Sequence, residues 1–202
     1  MAESDKPVFA KMYADGMTPW HTGKPCPELV AVLDAGLFPG KRALDMGCGF
    51  GSNALEFARR GFEVTAVDYV EQALETARER AQQAGLQGKT LKFQLADMTA
   101  NPKLDGPYDV LYDRGAYHSI RRVDLAGFLK TIENNSRPGT RWLCLAGNSK
   151  QKLEFGPPTV SEAEFRAELG GLFNFLAVKE ITFETYKEDF RPAGWHILME
   201  RK

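Results

Sequence analysis

This sequence has few cysteines, no long apolar run and no excess of one charge. Its 202 residues hold three cysteines, Cys26, Cys48 and Cys144, and none belongs to a Cys-x-x-Cys pair or to a Cys/His cluster with four metal ligands. No apolar run approaches the roughly 20 residues of a membrane span, and the polar N-terminus lacks the apolar stretch of a signal peptide. We therefore expect reduced thiols, a cytoplasmic location and no membrane contact.

The charge balance argues against a nucleic-acid-binding protein. Lys and Arg number 26 against 27 Asp and Glu, which leaves a net charge of −1. A protein that binds nucleic acid needs cations to neutralise phosphates, so we expect no nucleic-acid partner. The hydrophobic share of 43% and the charged share of 26% are typical of a folded globular chain. No repeat or linker divides the chain, so the sequence predicts a single domain.

Strands and helices alternate from residue 41 onward. Strands are predicted at 42–46, 62–67, 91–95, 108–112 and 142–146, with helices at 52–60, 70–85 and about 125–132. A capping box from Ser161 to Glu164 predicts one more helix, and two β-rich runs without a helix between them follow at 178–186 and 195–200. This pattern predicts an α/β fold with a doubly wound, mostly parallel seven-stranded sheet that ends in an antiparallel hairpin.

A glycine-rich loop follows the first predicted strand and opens the next helix. Its pattern is Asp45-x-Gly47-x-Gly49-x-Gly51, and Ser52 stands where a dinucleotide fingerprint needs its third glycine. Asp45 would repel a pyrophosphate, but it suits a ligand that presents an ammonium group. Glycines allow the tight turn and the close approach of a ligand to the backbone.

Two further acidic residues stand at the ends of the next strands. Asp68 can accept hydrogen bonds from ribose hydroxyls, and Asp97 can accept one from an exocyclic amine. The alternative for Asp97 is an acid in a solvated loop. The strand ends thus offer an ammonium site, a diol site and an amine site in chain order. S-adenosylmethionine carries all three groups.

With these acids, the glycine loop resembles that of class I S-adenosylmethionine-dependent methyltransferases, and the resemblance extends over about residues 13–200. It implies a Rossmann-like methyltransferase fold, S-adenosyl-L-methionine as cofactor and S-adenosyl-L-homocysteine as product. The glycine loop would lie by the methionine part of the cofactor, Asp68 by the ribose, and the Asp97-Met98 pair by the adenine. The cofactor-binding residues implied are Trp20, Asp45, Gly47, Cys48, Gly49, Asp68, Tyr69, Asp97, Met98 and Asp113.

The segment after the fourth predicted strand narrows the resemblance. It reads Asp113-Arg114-Gly115-Ala116, not the Asn/Asp-Pro-Pro-aromatic segment of enzymes that methylate base amines. This segment and residues 19–25 are similar to thiopurine and tellurite-resistance type methyltransferases. The similarity implies that Trp20 covers the cofactor, although Trp20 could equally anchor the lid. We expect one domain over 1–202, with a helical lid at 1–40 and the cofactor-binding sheet with acceptor loops at 41–202.

Methyl transfer from a sulfonium is an in-line displacement that depends mainly on alignment. We predict a small-molecule acceptor, namely a thiol, another chalcogen or an aromatic heterocycle, methylated without a metal because Asp113 lacks a second carboxylate. A small phenolic or natural-product acceptor and a non-catalytic binding protein are the alternatives. The catalytic candidates are Asp113, Arg114 and His118, and His118 is either a base or a lining residue. We expect a monomer or a weak homodimer.

Aromatic residues and prolines are expected to roof the acceptor pocket. They lie in the lid, in the loop after Asp113, and in the stretches 148–160 and 186–195. Such a lining suits a flat apolar molecule. The members of this predicted set are Tyr117, Phe155, Pro157, Pro158, Tyr186, Phe190 and Trp195.

Overall fold

A central β-sheet carries helices on both faces. The computed structural model describes residues 6–86, 88, 90–151, 157–187 and 189–202. The helices are α1 (Lys6–Ala14), α2 (Pro27–Asp34), α3 (Ser52–Arg59), α4 (Glu71–Gln83), α5 (Tyr117–Asn135) and α6 (Glu162–Leu169). The strands are β1 (Arg42–Met46), β2 (Glu63–Asp68), β3 (Leu91–Leu95), β4 (Val110–Arg114), β5 (Arg141–Asn148), β6 (Thr159–Val160), β7 (Phe173–Thr182) and β8 (Ala193–Arg201).

The strand order confirms the predicted fold class. The main strands run β3-β2-β1-β4-β5-β8-β7, and β6 pairs with β5 off this path. Strands β1 to β5 pair in parallel, whereas β8 is antiparallel to both β5 and β7. The sheet is therefore mostly parallel, with seven main strands and an antiparallel end. Strand β6 was not predicted, because its two residues are too few for a periodic signal.

Alternate residues of the central strands build two cores, one on each face. Ala43 of β1 packs in a cluster with Leu29 of α2 and Phe57 of α3. Its neighbour Leu44 packs in a second cluster with Phe128 of α5, on the other face. Both faces are therefore covered, so ligands can reach the sheet only at its edges or strand ends.

Three observed boundaries differ from the predicted ones and change the site. Strand β4 ends at Arg114 and not at 112, because Arg114 still pairs with Leu145 of β5. Strand β7 covers 173–182 and not 178–186, so the loop that follows it is 183–192. Helix α5 begins at Tyr117, and a non-helical Asp124 interrupts it, so the apolar period revealed only its second half. The N-terminal helix α1 was not predicted as a separate element.

The observed capping box of α6 agrees with the sequence pattern. The Ser161 hydroxyl accepts from the Glu164 backbone N–H, and the Glu164 carboxylate accepts from the Ser161 backbone N–H. This motif is local in sequence, so no tertiary contact is needed to predict it. No helix among the described residues has the length and apolarity needed to cross a membrane.

Candidate active site

A cavity of about 1080 Å³ opens at the carboxyl ends of β1 to β4. Helix α1, the lid that follows it and the loop 183–192 close it from the other side. Its volume slightly exceeds the roughly 300–1,000 Å³ of a site for one small ligand, which leaves room for a cofactor and a small acceptor. The predicted residues that line it are Trp20, Asp45, Gly47, Cys48, Gly49, Asp68, Tyr69, Asp97, Met98, Arg114 and His118.

The glycine loop lies at the floor of this cavity, tied to strand β2. The backbone N–H groups of Gly47 and Cys48 both donate to the Val67 carbonyl, at 2.8 and 3.0 Å. Gly49 has φ +54°, and a Cβ there would come within 2.8 Å of the Tyr13 hydroxyl. A side chain at this position would therefore be strained and would push the Tyr13 hydroxyl aside. Both the backbone conformation and the close approach of Tyr13 favour glycine here.

Asp45 is a buried carboxylate that lines the cavity with one oxygen unpaired. Its side chain is 1% exposed, and Oδ2 has no hydrogen-bond partner among the described residues. Burial, with Asp113 and Asp68 nearby, raises the pKa of Asp45 to about 8. An unpaired buried acceptor is costly. The residues present therefore fit a ligand that brings an ammonium group to Oδ2.

Asp68 ends β2 and braces the glycine loop. Its Oδ2 accepts from the Gly49 N–H at 2.9 Å, and its Oδ1 accepts from the Val70 N–H at 3.0 Å. Burial raises the pKa of Asp68, whereas these hydrogen bonds lower it. Each carboxylate oxygen can accept more than one hydrogen bond. Asp68 can therefore hold the loop and still accept from ligand hydroxyls.

Asp97 and Met98 line the cavity just beyond β3. Asp97 Oδ1 accepts from the backbone N–H and the hydroxyl of Thr99, at 2.9 and 2.7 Å, which fixes a tight turn. Met98 is buried in the core on the α5 face. The turn thus places an acid beside an apolar side chain, a combination that suits a flat heterocycle with a polar edge.

Aromatic rings from the lid and α1 form the roof. Trp20 makes edge-to-face contacts with Phe9 and Tyr13, with centroids 5.5 and 5.8 Å apart. Tyr13 makes a similar contact with Phe50 of the glycine loop at 5.2 Å. Phe9 and Tyr13 are four residues apart and lie on one face of α1. The roof is therefore an aromatic cluster that rests on the loop, and Trp20 both anchors the lid and lines the cavity.

Arg114 fastens the lid to the loop 183–192. Its guanidinium donates to the carbonyl oxygen of Trp20 at 3.0 Å and to that of Glu184 at 2.6 Å. It also lies 5.1 Å from the ring centroid of Phe183. Because both bonds go to backbone carbonyls of the enclosing segments, the geometry gives Arg114 a positioning role within the cavity wall.

Asp113 lies beneath the cavity and does not line it, which differs from its predicted place in the site. It is fully buried, and its Oδ1 accepts from the N–H groups of Ala116 and Tyr117 at 3.1 and 2.9 Å. Its Oδ2 accepts from the Trp142 indole at 3.0 Å. Burial raises the pKa of Asp113 to about 6. The first two contacts hold the start of α5, and the third joins Asp113 to β5. Asp113 points away from the cavity because successive side chains of a strand point to opposite faces, so Asp113 lies inward and Arg114 outward.

His118 lines the cavity as a neutral imidazole. Its Nδ1 accepts from the Gly147 N–H at 2.7 Å, and burial together with Arg114 lowers its pKa to about 3. The lone pair of Nδ1 is occupied, so the ring proton of the neutral form belongs on Nε2. In this arrangement Nε2 is a hydrogen-bond donor. The geometry therefore favours the lining role over that of a general base.

The predicted acceptor-pocket set divides into two groups. Pro157, Pro158, Tyr186 and Phe190 line the cavity, as predicted. Tyr117 and Trp195 do not, because their side chains pack in the core on the α5 face. Phe155 lies outside the described residues. Three lining residues, Phe183, Ile120 and Val123, were not predicted from the sequence. The predicted strand at 178–186 included Phe183, and the predicted helix at about 125–132 began after Ile120 and Val123.

Metal-ligating side chains do not cluster in the part of the chain that the structure describes. No group of three or more His, Cys, Asp or Glu there could hold a metal ion. Asn148, the polar residue that ends β5, accepts from the Lys150 N–H through Oδ1 at 2.9 Å.

Solved structures share the fold of this chain. A structure solved for the conversion of a disulfide bond into a thioacetal group during echinomycin biosynthesis has a TM-score of 0.81 and 23% identity, and the match covers 97% of this chain and 92% of that one. Magnesium protoporphyrin IX methyltransferase from Synechocystis PCC 6803, with bound S-adenosylmethionine, has a TM-score of 0.72 and 16% identity, with 100% and 99% covered. The fold is the Rossmann-like methyltransferase fold, as the sequence predicts.

The sequence comparison identifies related proteins. Residues 43–139, just under half of the chain, match the family model of the methyltransferase domain. The 2-heptyl-1-hydroxyquinolin-4(1H)-one methyltransferase of Mycobacteroides abscessus is 31% identical over 153 residues. The match covers 73% of this chain and 65% of that relative, which is less than two thirds of its length.

Proposed function

We propose that this protein transfers a methyl group from S-adenosylmethionine to a heteroatom of a small aromatic heterocycle or thiol. One observation carries the proposal: a single cavity joins the unpaired carboxylate of Asp45 to a space lined by aromatic residues and prolines. The first part offers the contacts that a charged cofactor needs, and the second suits a flat apolar acceptor. The relative from Mycobacteroides abscessus, named for a quinolone substrate, supports the same class of acceptor.

The cofactor would be held by residues at the strand ends. Asp45 would receive its ammonium group, Asp68 its ribose hydroxyls, and the Asp97-Met98 turn its adenine. When bound, S-adenosylmethionine supplies a methyl group already activated by the sulfonium charge. What the protein contributes is alignment of the two reactants and exclusion of water.

The state of His118 bears on the choice of acceptor. Its Nε2–H donates, and its low pKa keeps it neutral at physiological pH, so it does not remove a proton from the acceptor. An acceptor that ionises by itself needs no base. This favours a thiol, a selenol or an acidic ring hydroxyl over an ordinary alcohol, and the Nε2–H group would hydrogen-bond the acceptor atom.

Calorimetry and mass spectrometry test the proposal. We expect saturable binding of S-adenosylhomocysteine, and a methylated product from at least one member of a panel of heteroaromatic thiols, N-hydroxyquinolones and phenols. No binding heat would refute the cofactor assignment. Cofactor binding without any methylated product would favour the non-catalytic alternative, and methylation of the phenols alone would favour the O-methyltransferase alternative.

A further inference from the structure

Exposed apolar side chains are concentrated at the mouth of the cavity. Seven large apolar residues stand more than about a third exposed among the described residues. Four of them, Val8, Met17, Val123 and Tyr186, also line the cavity, with exposed fractions of 38–56%. Exposed apolar side chains gathered around one cavity indicate a binding surface, whereas apolar residues scattered singly over a surface do not.

These four residues come from separate parts of the chain. Val8 belongs to α1, Met17 to the lid, Val123 to α5 and Tyr186 to the loop 183–192. The Tyr186 N–H donates to the Pro19 carbonyl at 3.2 Å, which joins the loop to the lid. We call these four residues the apolar rim. Because the tertiary structure assembles it from four segments, the rim is not a by-product of one amphipathic element.

The rim continues the apolar lining toward the solvent. Met12 lies one helical turn after Val8 and also lines the cavity, beside the aromatic roof of Phe9 and Trp20. Methionine side chains adapt to irregular apolar ligands. A ligand with its ring below the roof would therefore find an apolar path outward past Met12 to the rim.

The charges near the rim favour a small-molecule chain over a membrane surface. A helix or loop that docks on anionic lipid is rich in Lys and Arg. Here the loop beside Tyr186 carries Glu184 and Asp189 as well as Lys187, and the whole chain has a net charge of −1. The mixed signs do not complement an anionic membrane.

We propose that the methyl acceptor carries an extended apolar chain, such as an unbranched alkyl substituent, which leaves the acceptor ring and lies along the apolar rim. This inference rests on the proposed function and adds to it the substrate's second part. It assigns Val8, Met17, Val123 and Tyr186 to chain binding, outside the part of the cavity where methyl transfer takes place.

A homologous series of ligands tests the assignment. The probes are 1-hydroxyquinolin-4-ones with a methyl, propyl, pentyl or heptyl chain next to the ring nitrogen, titrated by calorimetry into protein saturated with S-adenosylhomocysteine. Each methylene that becomes buried should lower the dissociation constant about fourfold. We expect this dependence to weaken in Met17→Ser and Tyr186→Ser. The dependence on chain length should persist in Leu176→Ser, which removes another exposed apolar side chain (46% exposed) from β7, outside the lining of this cavity.

The outcomes separate this inference from the proposed function. Absence of S-adenosylhomocysteine binding would refute the proposed function itself. If the cofactor product binds but affinity does not change with chain length, or no member of the series binds, the chain assignment is wrong. A different pair of results would assign the apolar rim to a membrane surface instead. The protein would sediment with phosphatidylcholine vesicles but Met17→Ser would not, and the affinity for the ligands would not depend on the length of their alkyl chain.

Discussion

Proton release from Asp45 should control cofactor affinity. In the unliganded protein, burial and two neighbouring carboxylates raise the pKa of Asp45 to about 8, so the group is mainly protonated at neutral pH. An ammonium ligand needs the ionised form. Binding must therefore expel the proton, and affinity should rise with pH up to about 8.

The size of the effect follows from the pKa. With a value of about 8, roughly half of Asp45 is ionised at pH 8 and about 3% at pH 6.5. The dissociation constant of S-adenosylhomocysteine should therefore fall about 15-fold over this range, which corresponds to about 1.6 kcal/mol. Staying above pH 6.5 limits the contribution of Asp113, whose pKa is raised only to about 6.

Isothermal titration at pH 6.5, 7.2 and 8.0 measures this dependence. Repeating the titration at pH 7.2 in two buffers of different ionisation heat counts the protons released, which should approach one per ligand bound. Asp45→Asn is the matched control, because an amide of the same shape cannot titrate. The same pH dependence in both proteins, or no proton release in the original protein, would refute the reasoning.

Three further predictions concern the roof, the imidazole and the glycine loop. Arg114→Ala removes the hydrogen bonds to the carbonyls of Trp20 and Glu184, so turnover should fall at least tenfold while the affinity for S-adenosylhomocysteine changes little. Equal losses of turnover and affinity would contradict this prediction. His118→Gln should lower turnover without altering the shape of the pH–rate profile between pH 5 and 8, because the pKa of His118 is only about 3; loss of an inflection in that range would restore the base assignment. Gly49→Ala should weaken S-adenosylhomocysteine binding more than tenfold and cost about 1–2 kcal/mol of folding free energy. Ser161→Ala is the control, because it removes the cap of α6 at a similar cost of about 1 kcal/mol in folding free energy. Calorimetry should show unchanged S-adenosylhomocysteine binding in this variant, and urea unfolding measures the stability of both variants. If the two variants lose binding equally, lowered stability explains the loss and the role of Gly49 is refuted.

Features that depend on neighbouring residues in the chain could be predicted from the sequence. The alternation of strands and helices follows from the spacing of apolar residues, and the α6 cap follows from four residues of local pattern. The spacing of Asp45 and the glycines, with Asp68 at a strand end, predicted a ligand with a cation and a diol. All of these residues lie at the ends of consecutive parallel strands, so the topology brings them to one edge without further information.

The orientation and ionisation of the side chains depend on the folded chain and could not be predicted from the sequence. Asp113 and Arg114 are neighbours, yet the strand carries one beneath the cavity and the other into its wall. His118 became a donor because a distant residue, Gly147, supplies the N–H that occupies Nδ1. The apolar rim likewise exists only where four segments meet. Burial, and hydrogen bonds between residues far apart in sequence, set these properties, and neither is encoded in a local pattern.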